Sequence, residues 1–381
     1  MSERSGRLQS RLFLQREPLT LALLTGSAVL MFLFVVGLSR FYHNQQQSLA
    51  LRWSSRGSAD LQAQKFTDAV SDFRTALLYS RDNYSYQLSL AEALLGEKRT
   101  DEAYAYLINL WGQQPEDGLV NLELARIAAG RGETERALRY YHNAIYATWP
   151  DDLEIERRTT RLELVQLLLR NHATAQAQSE LIALAANLRD DPPEEAQVGE
   201  LFLQALDYRQ ALTEYELSLK DGWRSPAALA GAGQAAFELG QYPVAHKYLQ
   251  EAVAAAPRDT VSAARLRTTE LVLHMDPFRQ QIPAAERDRI VVRAFAAAGK
   301  RLDACPVNAG STEIAAQPNL APLWEKLDPQ INIANLRRNP DLVNSAMELV
   351  FKIERQASYE CGASTGTDTA LLLIANLHEG L

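Results

Sequence analysis

LVNLELARIAAGRGETERALRYYHNAIYATW, residues 119–149, decides how this chain is read. It divides into two amphipathic stretches joined at Gly132-Glu133. Ala125 lies twelve residues before Ala137, and Tyr141 and Ala144 follow Ala137 by four and seven. That spacing puts small and apolar side chains on one helix face. The same layout stands 34 residues earlier, at Ala91, Ala103, Leu107 and Leu110, and 34 earlier again, at Gly57, Ala69, Phe73 and Ala76. Small residues belong where two helix axes approach closely, and larger ones such as Phe66, Phe73 and Tyr141 fill the space beside them. One such pair cannot bury its own apolar face, so copies must stack into a continuous core.

The layout continues downstream. Ala211 and Ala245 are 34 apart, with Gly199 and Gly233 twelve residues before them. Tyr208 and Tyr242 precede those alanines by three, as Phe66 precedes Ala69, and Pro115 and Pro257 close their units. Ala177, with Val165, Leu181 and Leu184, lies 40 residues after Ala137 instead of 34. The six extra residues fall around Asp151–Thr160. They predict a longer first helix in that unit, with Asp151 or Asp152 as its cap. The Glu156-Arg157-Arg158 run there reads as a solvated face.

A helix–turn–helix unit of this length resembles the tetratricopeptide repeat. Six repeats fit between residues 50 and 257. The resemblance implies an all-α superhelical solenoid that binds partners without catalysing anything. It also implies a concave groove, lined by the first helices of successive repeats, that holds a peptide or a partner helix. By repeat register the polar residues facing it are Glu92 and Arg126, then Gln166 and Arg170. Glu200 and Gln204 follow, then Gln234 and Glu238. Leu88, Leu122, Leu162, Leu203 and Phe237 are the apolar ones. The family's carboxylate clamp uses paired Lys and Asn at such places, and this chain has no such pair. A mixed groove for a protein segment fits better. A second surface is aromatic: eight tyrosines fall between Tyr79 and Tyr146, and Tyr84, Tyr86, Tyr104, Tyr106 and Tyr140 do not match the packing positions.

Before the repeats, Pro18 to Ser39 carries no charge. About 20 apolar residues span a bilayer core of roughly 30 Å. No polar face interrupts the run, as a soluble core helix would require, and no small-residue cleavage site follows it. It reads as a transmembrane signal anchor over residues 18–39. Arg4, Arg7, Arg11 and Arg16 precede it, which favours a cytoplasmic tail at 1–17 and a periplasmic repeat domain on a single-pass inner-membrane protein. Residues 40–49 form a juxtamembrane segment that continues the helix.

After the repeats, residues 258–305 read as a degenerate seventh helical pair. Residues 306–381 read as a helical C-terminal cap of one loop and two helices, the helices starting near Asn339-Pro340-Asp341 and Gly366-Thr367-Asp368. A solenoid needs such an end unit to close its last face from water. Cys305 and Cys361 stand at predicted helix ends, and an exported domain would let them pair. They form no CxxC motif. Over 381 residues the net charge is −8, which argues against nucleic acid as a partner. No two of the six histidines lie three or four apart, and there is no HExxH, GxSxG, P-loop or GxGxxG. No enzyme activity, cofactor, metal or small-molecule substrate is expected. The leading expectation is a membrane-tethered adaptor for a protein partner in envelope assembly, export or complex maturation. The alternative is an accessory subunit of a membrane enzyme such as a glycan polymerase or ligase.

Overall fold

A computed structural model describes residues 3–147, 149, 154–188, 191–220, 222–305, 320–362 and 366–378, without the side chains of 3–20 and 154. All regular structure among these residues is helical. Asp151, Asp152 and most of the loop expected after Cys305 lie outside them. The chain divides into two compact units, Met1–Leu164 and Val165–Leu381.

The first unit holds α1 (Glu3–Gln62), α2 (Phe66–Tyr79), α3 (Tyr84–Gly96), α4 (Thr100–Gln113), α5 (Gly118–Gly130), α6 (Thr134–Tyr146) and most of α7 (Glu154–Arg170). Consecutive helices pair as α1 with α2, α3 with α4 and α5 with α6, and α2 and α4 then pack on the next pair. At 60 residues α1 is much longer than its neighbours. It is one helix long and apolar enough to cross a membrane, and none of its apolar window is buried within the protein. The same helix then turns inward: Ala50, Ser54 and Gly57 are buried, and a Cβ on Gly57 would stand 3.1 Å from the Phe73 ring. A side chain there would make Phe73 give way by a few tenths of an ångström, so glycine suits the close approach of α1 and α2.

The two helices of each repeat join in the same way. Gln64, Lys98, Gly132, His172, Leu206 and Gly240 all have positive φ, between 56° and 74°. The N–H of the next residue reaches back five positions: Arg99 N–H to Leu94 O at 2.9 Å, Glu133 to Ala128 at 2.9 Å and Gln241 to Ala236 at 2.8 Å. This left-handed closure satisfies carbonyls that the helix end would leave bare. Between Gly132 and His172 the spacing lengthens to 40 residues, and α7 runs to 17 residues against 13 in α5. The Glu156-Arg157-Arg158 run is half-buried rather than solvated. Arg157 donates to Ala147 O at 3.4 Å, so the extra turn folds back on the end of the preceding repeat.

The second unit continues with α8 (Thr174–Ala185), α9 (Pro192–Gln204), α10 (Tyr208–Ser218), α11 (Pro226–Glu238), α12 (Tyr242–Ala255) and α13 (Thr260–Met275). Pro192 and Pro226 open their helices, where a missing N–H costs nothing. Then follow α14 (Ala284–Ala304), α15 (Ala321–Leu327), a single 3-10 turn at Asp328–Gln330, α16 (Ile333–Arg338), α17 (Asp341–Cys361) and α18 (Thr367–Leu377). The C-terminal part therefore has two short helices more than its sequence pattern announces. Of these, α15 stacks Trp324 on Phe295, ring centroids 5.6 Å apart, over Gly299 of α14, and α16 buries Leu336. One apolar core runs from Tyr242 through α13, α14, α17 and α18. A disulfide joins Cys305 to Cys361 with their Cα atoms 6.1 Å apart, within the usual range for such a bridge.

Candidate groove on the first helices of the repeats

Each polar residue of the candidate groove sits on a first helix at a four-residue step from another groove position, so each helix carries a stripe along one side, with Leu203 and Phe237 three residues after Glu200 and Gln234. On α3 the stripe is Leu88 and Glu92; on α5, Leu122 and Arg126; on α7, Leu162, Gln166 and Arg170. On α9 it is Glu200 and Gln204, and on α11, Gln234 and Glu238. Gln166, Arg170, Glu200, Gln204 and Glu238 are exposed, Gln234 is half-buried, and Leu122 and Leu203 are buried.

In the first unit the stripe is a charge network. The Arg126 guanidinium donates from Nε and Nη2 to both oxygens of Glu163, at 3.0 and 2.6 Å, and from Nη1 to Glu123 at 2.6 Å. Tyr141 adds a hydroxyl donation to Glu163 at 3.2 Å. The hydrogen bond to Glu163 holds the arginine's pKa above its ordinary value. Burial pushes the Glu123 carboxyl up, and Arg126 opposes that. Arg126 is therefore a tie between successive repeats, with three of its five N–H donors engaged. Glu92 is different: it forms no hydrogen bond or ion pair with a described residue, and burial, then the Glu123 charge, push its carboxyl up to about 7.

Beside Glu92 lies an open depression of about 850 Å³, lined also by Tyr84, Ser85, Leu88, Glu116, Asp117 and Leu119. Sequence register named only Glu92 and Leu88 among these. Asp117 had a visible signal, since a carboxylate directly before a helical run is a cap. One of its oxygens accepts the Val120 N–H at 2.9 Å and the other the Tyr84 hydroxyl at 2.9 Å. Asp117 thereby fixes the start of α5 against α3.

In the second unit Glu200 accepts from the Tyr215 hydroxyl at 3.0 Å and from Gln204 at 3.1 Å. Burial, followed by the charges of Glu238 and Asp276, pushes Tyr242 up to about 12. Arg170 makes no ion pair with a described residue. Among the described residues no group of three His, Cys, Asp or Glu is placed to hold a metal ion.

The aromatic surface is mostly packing. Tyr84, Tyr104, Tyr106 and Tyr140 lie partly buried against the first unit's core. Tyr140 meets Trp111 edge-on at 6.2 Å, and Arg131 sits 4.6 Å over the Tyr104 ring. Tyr84, Tyr104 and Tyr140 lie off the small-residue packing positions and make their contacts between repeats, to Asp117, Arg131 and Trp111. Tyr146 alone of this group stays 75% exposed.

Tetratricopeptide-repeat family models match residues 60–127 and 199–260. A search of curated proteins finds no match. Among solved structures, PilF of Pseudomonas aeruginosa is 16% identical at a TM-score of 0.41, covering 59% of this chain and 98% of its own. PilW, a type IV pilus biogenesis factor, is 16% identical at 0.39, covering 58% and 98%. A tetratricopeptide-repeat protein of Parabacteroides merdae is 14% identical at 0.29, covering 86% and 99%. Likenesses this weak carry no functional argument. The assignment rests on the two family matches, the recurring helix pairs and the left-handed turn that closes each first helix. On those grounds the chain carries tetratricopeptide repeats, a scaffold for contact with protein or peptide partners.

Proposed function

We propose that this protein is a non-catalytic adaptor, tethered in the inner membrane through residues 18–39, whose repeats hold a segment of a partner protein on the periplasmic side. Its work would lie in envelope assembly, export or maturation of a membrane complex. The observation that carries this reading is the continuity of α1, one helix from the apolar run into the first repeat. A tether raises the effective concentration of a partner in the same membrane, so modest groove contacts suffice. The Cys305–Cys361 bridge supports an oxidising compartment, because disulfides rarely persist in the cytosol. The arginines before the span favour a cytoplasmic N-terminus. The groove residues Glu92, Gln166, Arg170, Glu200, Gln204, Gln234 and Glu238 supply hydrogen-bonding groups for a segment, and Arg126 shapes the wall through its own pairs.

Alkaline phosphatase fused after Leu381 tests the topology: activity is expected, and an inactive fusion overturns the periplasmic reading. Crosslinked pull-down from native membranes, with and without residues 50–257, tests the adaptor reading. Capture that survives removal of the repeats overturns it.

A further inference from the structure

The depression beside α3 has a charge of one sign. Glu92, Glu116 and Asp117 line it together with Leu88, Leu119 and Tyr84, and among the described residues no lysine, arginine or histidine does. The stripe's arginine in this unit, Arg126, is held by Glu123 and Glu163. Asp117 spends its oxygens on Val120 and Tyr84. Glu92 is half-buried, lacks a bonded partner among the described residues, and has the Glu123 carboxylate as its charged neighbour.

We propose that this depression receives a lysine or arginine side chain from the partner segment, with an adjoining apolar side chain laid on Leu88 and Leu119. The proposal rests on the groove reading above and adds the charge class of the segment. A carboxylate entering here would meet like charges. An apolar side chain alone would deepen the burial of Glu92 without giving it a partner, which costs free energy. A cation satisfies it with a charge-assisted bond of about 2.7–2.9 Å. It also opposes the burial and the Glu123 charge that hold the Glu92 carboxyl up, since an opposite charge within about 4–6 Å favours ionisation. The volume of about 850 Å³ accommodates a long basic side chain and its neighbour. The family's carboxylate clamp needs the opposite charge, so the two are distinguishable by experiment.

The test is a random 12-residue peptide display library panned on the full chain in detergent micelles. Peptides that depend on the groove are identified by loss of binding to Ser85→Trp, a substitution at an exposed position that plugs the depression. Those peptides are expected to share a lysine or arginine beside an apolar residue. Their affinity, by fluorescence anisotropy, should fall about tenfold or more with Glu92→Gln, and by as much when the peptide's cation becomes glutamine. Glu135→Gln, in the first turn of α6, should change nothing. Groove-dependent peptides without a cation, or ones indifferent to folded Glu92→Gln, overturn this proposal and leave the groove reading standing. A library with no peptide blocked by Ser85→Trp overturns both.

Discussion

Glu354 is fully buried on α17, and neither carboxylate oxygen has a hydrogen-bond partner among the described residues. Burial pushes its pKa up from 4.5 to about 8; the Asp368 charge adds to this and Arg301 opposes it. Between those values the folded chain keeps a proton that the unfolded chain has released, so stability falls as pH rises through that window. Glu354→Gln keeps the shape and removes the slope. Its unfolding free energy from urea titration should match the parent near pH 4 and exceed it at pH 9, by on the order of a few kcal/mol; parallel curves would contradict the burial argument. The two stripe arginines separate in the same way. Arg126→Ala strands Glu123 and Glu163, and should cost about 1 kcal/mol in a thermal melt. Arg170→Ala should stay within about 0.5 kcal/mol. Sequence register puts both on one stripe, with Glu92, Glu123 and Glu163 as the carboxylates in reach; Arg126 takes Glu123 and, 37 residues away across the lengthened repeat, Glu163, while Arg170 takes none of them.

The helices of the repeats were legible because Gly57, Ala91, Ala125 and their counterparts recur at one spacing and are buried. The short helices α15 and α16 were not. Seven and six residues carry too few turns for a helical period to stand out. The turn was half legible. Glycine marks it at Gly132 and Gly240, yet Lys98, His172 and Leu206 adopt the same left-handed backbone. Opposite substitutions should therefore have opposite signs. Leu206 is 60% exposed, so Leu206→Gly gives up little burial and relieves the left-handed cost. It should raise stability by up to about 1 kcal/mol. Gly132 has open space around its Cβ position, so Gly132→Ala isolates the backbone effect and should lower stability by about 1 kcal/mol. Differential scanning calorimetry of the two variants checks both, and equal shifts would refute the argument.

Across the whole molecule the bridge and the long helix matter most. Cys305 and Cys361 are 56 residues apart, so opening their bridge frees a long loop and should cost about 4 kcal/mol in the chain-entropy model. Cys305→Ser with Cys361→Ser, compared with the parent by urea unfolding, measures this, and an unchanged midpoint would dismiss it. The continuity of α1 has a different consequence. A helix without a break does not merely attach the first repeat to the proposed anchor; it sets the compass bearing of the repeat about the membrane normal. Each residue added between Gln46 and Gln47 turns everything beyond it by roughly 100° and lifts it by about 1.5 Å. Two inserted alanines should swing the groove to the far side and abolish crosslinking to a membrane-bound partner. Seven should bring it back to within about 20°, roughly 10 Å higher, and restore the crosslink. Capture would then oscillate with linker length, as it does for a dial and not for a leash.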